Sequence, residues 1–230
     1  MHMLIPSESD SEPKSSIYER MTDMPEKKTA PKTEKILRSA EISRKTKETE
    51  IDVKLNLDGE GKYDVSTGIG FFDHMLEGFA KHGSFDLSVV CNGDLNVDNH
   101  HTVEDCGIVL GNAIKEALGN KEGINRYASF IMPMDDALCL VAIDLSGRPF
   151  LNFNYEFKEE RVGFFETATL NEFFYALSYS AGMNIHIKVL DGQNGHHIIE
   201  AIFKAFANAL KIAASKDGNR AGVLSTKGTL

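Results

Sequence analysis

Two strings in this chain, "DNHHTVED" (98–105) and "QNGHHIIE" (193–200), each set adjacent histidines at the head of an apolar-periodic run, with a glutamate three residues after the second. On a helix, side chains three or four residues apart share a face, so Glu104 can reach the ion held by His100 or His101, and Glu200 the ion held by His196 or His197. Neighbouring side chains diverge by ~100° around the axis. Each adjacent pair therefore points to two metals rather than one. Two more histidines stand in suitable places, His74 in "FFDHML" and His186 in "NIHIKV", where it interrupts an apolar strand face. Imidazoles and carboxylates in this mixture suit octahedral Mn²⁺ or Fe²⁺, and imidazole-rich sites also take Zn²⁺. Taken alone, His186 reads as a hydrogen-bonded core residue. Asn99 and Asn194 would cap the two helices without any metal, but a cap does not account for paired histidines. His82, in "FAKHG", reads either as a cation at a helix C-terminus or as a site group.

A second group of residues is cationic and hydroxylic. Arg126, Arg148, Lys204 and the tail string "STKG", with Ser225, Thr226 and Lys227, are separated in sequence. Each alone reads as a solvated surface charge. Gathered together with backbone amides, they would hold a phosphate.

The elements that must bring these groups together form a repeated string. Alternation in "IDVKLNL" (51–57) predicts a strand, and "GEG" turns the chain into a second near Tyr63 to Thr67. A short helix in "FFDHMLEGFAKHG", with its last glycine suited to a C-cap, precedes a strand in "SFDLSVVC" and a longer helix from His100. The second half repeats this order with strands at 137–145 and 150–157, a helix through "TATLNEFFYALSYSAG", a strand in "NIHIKVL" and a helix from His196. With HHxxE at the same place in both halves, the chain reads as a duplicated half-domain. The expected fold is α+β, with two antiparallel sheets backed by helices and packed as a sandwich. The expected boundaries are a disordered leader over 1–40, rich in Ser, Pro, Glu, Asp and Lys, a first half over 41–130 and a second over 131–230.

Composition narrows the ligand. A length of 230 residues, 42% apolar and 26% charged, is that of an ordinary globular protein. No apolar run approaches the ~20 residues of a membrane span. A net charge of -9 argues against a nucleic-acid partner, so a small molecule is expected. Cys91, Cys106 and Cys139, odd in number and embedded in apolar stretches, read as buried thiols in a reducing compartment, and the absence of a secretory signal makes the cytoplasm the expected location.

Together, "RKTKETEI", "GIGFFDHML", "DNHHTVEDCGIVLG", "PMDDALCLVAIDLSGRP", "GQNGHHIIEAIFKA" and "STKGTL" closely resemble the landmarks of the imidazoleglycerol-phosphate dehydratase family, in order and over everything but the leader. Asp136, in "PMDDA", departs from the glutamate expected there. The resemblance implies two four-stranded sheets with paired helices. It also implies two Mn²⁺ per active site, held by His74, His100, His101, Glu104, His186, His196, His197 and Glu200. Glu48 is implied as the carboxylate approaching the substrate and as first candidate for the base, with His74 and Glu200 also at the reacting centre. His82, Arg126, Arg148, Lys204, Ser225, Thr226 and Lys227 are implied near the substrate and its phosphate. The implied assembly is a large symmetrical homo-oligomer of 24 subunits. The implied reaction is the loss of water from imidazole glycerol phosphate in histidine biosynthesis, a hydro-lyase reaction. The proton to be removed is not acidified by any carbonyl, so metals on both ring nitrogens would make the ring an imidazolate able to expel the hydroxyl. A dinuclear metallohydrolase using the same ligands is the alternative, and a metal-storage protein a third reading, opposed by the phosphate-binding cations.

Overall fold

The computed structural model describes residues 38–219, 221–228 and 230. Most of the expected leader, residues 1–37, therefore lies outside the described residues, while its last two, Ser39 and Ala40, already belong to β1 (Ser39–Lys45).

Two sheets of identical topology follow one another along the chain. The first comprises β1, β2 (Thr49–Asn56), β3 (Tyr63–Ser66) and β4 (Asp86–Gly93), in the order β1-β2-β4-β3. The second comprises β5 (Tyr127–Met134), β6 (Ala137–Asp144), β7 (Phe150–Phe153) and β10 (Asn184–Asp191), in the order β5-β6-β10-β7. Between β7 and β10 a small hairpin, β8 (Arg161–Val162) with β9 (Phe165–Glu166), is inserted. In each sheet only the last pair is parallel, because a helix carries the chain from the edge strand back to its neighbour. Those crossover helices are α1 (Gly70–Gly83) and α3 (Thr169–Ala181). The helices α2 (His100–Leu118) and α4 (Gly195–Ala214) open with the two HHxxE strings.

Alternation decides which side of each sheet faces the core. In β2, Ile51, Val53 and Leu55 are buried while Asp52 and Lys54 are exposed; in β6, Cys139, Val141 and Ile143 are buried. α2 packs on the first sheet and α4 on the second, and across the middle α1 meets α4 and α2 meets α3. The helices thus form the layer between the two sheets. Phenylalanines weld it: Phe72 of α1 meets Phe173 of α3 and Phe203 of α4 edge-on, and Phe79 stacks on Phe206 at 5.6 Å.

Three local differences from the sequence reading have physical causes. Each sheet begins with a strand, β1 and β5, that the repeat string lacks. In β1 the inward face holds Ala40 and Ile42 but also the charged Arg44, and β5 carries Pro133 and apolar residues on both faces, so neither shows clean apolar alternation. Gly83 is not the left-handed residue that ends α1; Ser84 is, at φ 54°. Gly83 is a glycine because a Cβ there would lie 2.2 Å from the Phe85 ring. Of the two expected caps, Asn194 Oδ1 accepts the His196 N–H at 2.9 Å, but Asn99 Oδ1 accepts from Glu166, and Asp98 receives the His100 N–H instead.

Candidate metal centre and its neighbours

α1 buries Phe72, Met75, Leu76 and Phe79, a helical stripe that leaves His74 and His82 on the opposite side. α4 runs beside it and turns His196, Glu200 and Lys204 toward that side. His74, His196 and Glu200 each offer a ligand atom, all within 4.8 Å of one another. Two imidazole nitrogens and a carboxylate oxygen at that separation form a donor set for a divalent ion. Glu200 is only 9% exposed. Burial works to raise its pKa, yet the Lys204 ammonium, bonded to Glu200 Oε1 at 2.7 Å, and the nearby His74 and His196 hold it below the usual carboxylate value. It stays an anion. His82 lies in the same electrostatic neighbourhood: burial first, then the Lys204 charge, lower its pKa, against the pull of Glu200.

The adjacent histidines do diverge. His100 and His101 rings cross at 88° and those of His196 and His197 at 77°. In each pair the first histidine turns Nε2 toward the glutamate one turn on, at 3.2 Å for His100–Glu104 and 3.4 Å for His196–Glu200. The second goes elsewhere: His101 Nδ1 lies 2.9 Å from Asp94 Oδ2, and His197 Nδ1 lies 2.6 Å from Asp136 Oδ1. These hydrogen bonds are the largest cause of a raised pKa in both imidazoles. The Asp136 carboxyl is held far below its usual range by that bond and by the N–H groups of Gln193 and Asn194. Asp94 and Asp136 were not among the site residues read from sequence. Asp136 drew notice only as a departure from the family string, and nothing in its spacing joins it to a histidine so far along the chain.

Other expected residues lie apart from the α1–α4 cluster within one chain. His186 faces outward on β10, beside Phe150 at 5.7 Å. Arg126, Arg148, Ser225, Thr226 and Lys227 line one cavity of about 580 Å³, so the tail does meet the arginines. Arg126 is already engaged there: it donates to both Asp144 oxygens, at 2.8 and 3.1 Å, and to the Leu224 carbonyl at 2.7 Å, fastening the tail. Lys204 is not in that cavity but on Glu200. Glu48 sits exposed in the turn between β1 and β2, where Thr46 Oγ accepts its N–H. That hairpin is pinned to α2 through buried Asp105, which takes a hydrogen bond from Thr49 Oγ1 at 2.5 Å and an ion pair from Arg44. The anchor sits next to Glu104 in sequence, and Glu48 is among the charges that His101 senses.

Against known proteins, a family model described as imidazoleglycerol-phosphate dehydratase matches residues 67–210. The protein of that name from Lachnoclostridium phytofermentans is 62% identical over 193 residues, covering 84% of this chain and 98% of its own length. That of Acetivibrio thermocellus is 59% identical over 193 residues, with 84% and 99% covered. Among solved structures, the Staphylococcus aureus imidazoleglycerol-phosphate dehydratase superposes with a TM-score of 0.71 at 37% identity, over 78% of this chain and 99% of that one. One from Pyrococcus furiosus in complex with (S)-C348 gives 0.72 at 40%, over 82% and 100%.

Proposed function

The chain belongs to the imidazoleglycerol-phosphate dehydratase family and is a hydro-lyase that removes water from imidazole glycerol phosphate in histidine biosynthesis, and from that premise we propose where its metals and its base reside. The observation that carries the reading is the meeting of His74, His196 and Glu200 within 4.8 Å. These residues would hold one of two Mn²⁺. His100, His101, Glu104, His186 and His197 would complete the two coordination shells. Because one chain gathers only part of this set, the centre closes across a boundary between subunits of a homo-oligomer, which we take to be cytoplasmic. Among the described residues no helix is long and apolar enough to cross a membrane.

When bound, the two ions supply Lewis acidity to the substrate's ring nitrogens. The chain's own groups do the rest. Arg148, Lys227 and the Ser225 and Thr226 hydroxyls, in the cavity that Arg126 braces, would grip the phosphate and fix the orientation on which an elimination depends. Lys204, with its charge committed to Glu200, keeps that carboxylate ionised and ready to ligate. Glu48, presented on a turn fixed by Asp105, would take the carbon-bound proton as general base. The hydrolase alternative is not favoured by the family.

The test incubates metal-loaded protein with imidazole glycerol phosphate and looks by mass for loss of one water. In parallel, Glu48→Gln should keep its metal by elemental analysis while turnover falls by ~10²–10⁴-fold. Undiminished turnover in that variant would remove Glu48 from the reaction. Full specific activity in a verified monomer at saturating Mn²⁺ would sink the shared centre.

A further inference from the structure

The second histidine of each HHxxE string meets an aspartate that comes from outside its own helix. Asp136, in the turn before β6, takes His197 Nδ1, and Asp94, at the end of β4, takes His101 Nδ1. A carboxylate anion only accepts, so Nδ1 carries the proton, and in the neutral ring, the form that ligates a metal, Nε2 holds the free lone pair. The two aspartates are attached differently. Asp136 uses its second oxygen to receive the N–H groups of Gln193 and Asn194, at 2.7 and 3.0 Å, and so pins the loop entering α4 with the same side chain. The second oxygen of Asp94 is buried and has no partner among the described residues. Among the described residues, the side chain of Asp94 has one hydrogen bond, with His101. On the other side of the His197 ring, Nε2 lies 3.4 Å from the exposed carboxylate of Asp135. In the neutral ring that lone pair faces an anion, an arrangement that a cation between them, a proton on Nε2 or a divalent ion, relieves.

We propose that Asp136 and Asp94 are positioning residues that lock the tautomer and ring direction of His197 and His101, so that each presents Nε2 to a divalent cation. This deepens the metal reading above and rests on it for the identity of these histidines as ligands. The tether itself can be tested without the metal. Acceptors of this kind on a ligand's distal nitrogen typically alter metal affinity by ~10–100-fold.

The experiment labels the full-length protein with ¹⁵N-histidine and reads tautomers by magic-angle-spinning NMR in the metal-free state, with His197 assigned by its absence in His197→Gln. Mn²⁺ isotherms are then measured on the same samples. Asp136→Ala should erase the Nδ1–H signature of His197 and weaken one class of Mn²⁺ sites by ~10–100-fold while sparing the other. Asp136→Glu, which keeps two carboxylate acceptors, should keep the tautomer and most of the affinity, whereas Asp136→Asn, with one acceptor for three N–H groups, should not. A merely structural aspartate would give neither the tautomer change nor its rescue by Glu. An unchanged tautomer in Asp136→Ala overturns the proposal at the tether. A changed tautomer with unchanged Mn²⁺ affinity overturns it at the ligand assignment, and so separates failure of the metal reading from failure of the tether. Should Asp136→Ala not fold, Asp94→Ala, which forfeits no other side-chain hydrogen bond among the described residues, puts the same question to His101.

Discussion

The duplicated fold contains two helix pairs in equivalent positions, and they have been put to opposite uses. Between α1 and α4 lie His74, His82, His196, Glu200 and Lys204. Between α2 and α3 the same architecture is shut by small residues: a Cβ on Gly107 would lie 2.6 Å from the Phe173 carbonyl oxygen, and one on Gly111 would lie 2.7 Å from that of Leu177. Where Lys204 stands on α4, the helix alignment set by HHxxE puts Ile108 on α2. A seam this close cannot host ligating side chains, and a seam lined with ligands cannot close this far. The turns before β2 and β6 show the same division. The matched registers Val53–Val89 and Val141–Ile187 place Glu48 and Asp136 at corresponding points, each just before its strand. Asp136 is spent on His197, while Glu48 is left exposed.

The sharpest way to break this comparison is in the ligand-lined seam. On the two-ion reading proposed above, His196→Ala and His197→Ala should each cut turnover by orders of magnitude, yet elemental analysis with anomalous diffraction should find different sites emptied. Both variants emptying one site would mean that the divergent rings serve a single ion. In the closed seam the expectation reverses. Gly111→Ala should destabilise by ~1–3 kcal/mol through overpacking, seen as a lower denaturant midpoint, with metal content per folded chain unchanged. Loss of metal without loss of stability would erase the distinction between seams.

The smallest effect separates the sheets. Asp86 opens β4, and its carboxyl is held below the usual value chiefly by the Glu60 N–H, with the Lys62 N–H, the Asn56 amide and the Lys62 charge adding to this. Asn184 opens β10 in the corresponding place and cannot titrate, donating instead to the Arg148 carbonyl. A carboxyl with a depressed folded pKa contributes stability that is fully present above the unfolded value of 3.8 and is lost as pH falls through the folded one. The Asp86→Asn variant should therefore show a shallower loss of denaturant midpoint below pH ~4 than the parent chain. Identical acid limbs would remove Asp86 from the acid response.

Much of this was legible because it was periodic or local. HHxxE fixed a helix face and a recurrence together, and β2 and β6 announced themselves by alternation. The glycines of the closed seam, by contrast, report a neighbour's backbone that only the folded chain supplies. Asp105 and Thr49 are distant in sequence, as are Asp136 and His197, and no spacing rule connects either pair. The ion pair of Lys204 with Glu200, four residues earlier on the same helix, follows the helical spacing rule. The outward face of His186 on β10 is a matter of sheet register.

The joining of α1 to α4 also sets when in the life of a chain the centre can come into being. His74 belongs to the first half and His196 and Glu200 to the last long helix, so during synthesis the amino-terminal half emerges with one imidazole of this cluster and neither of its partners. A stray cation meeting that nascent half finds only part of the α1–α4 donor set. The cluster is completed by the last helix to be synthesised, and metal uptake at that centre thereby becomes a certificate that both halves have been made and docked.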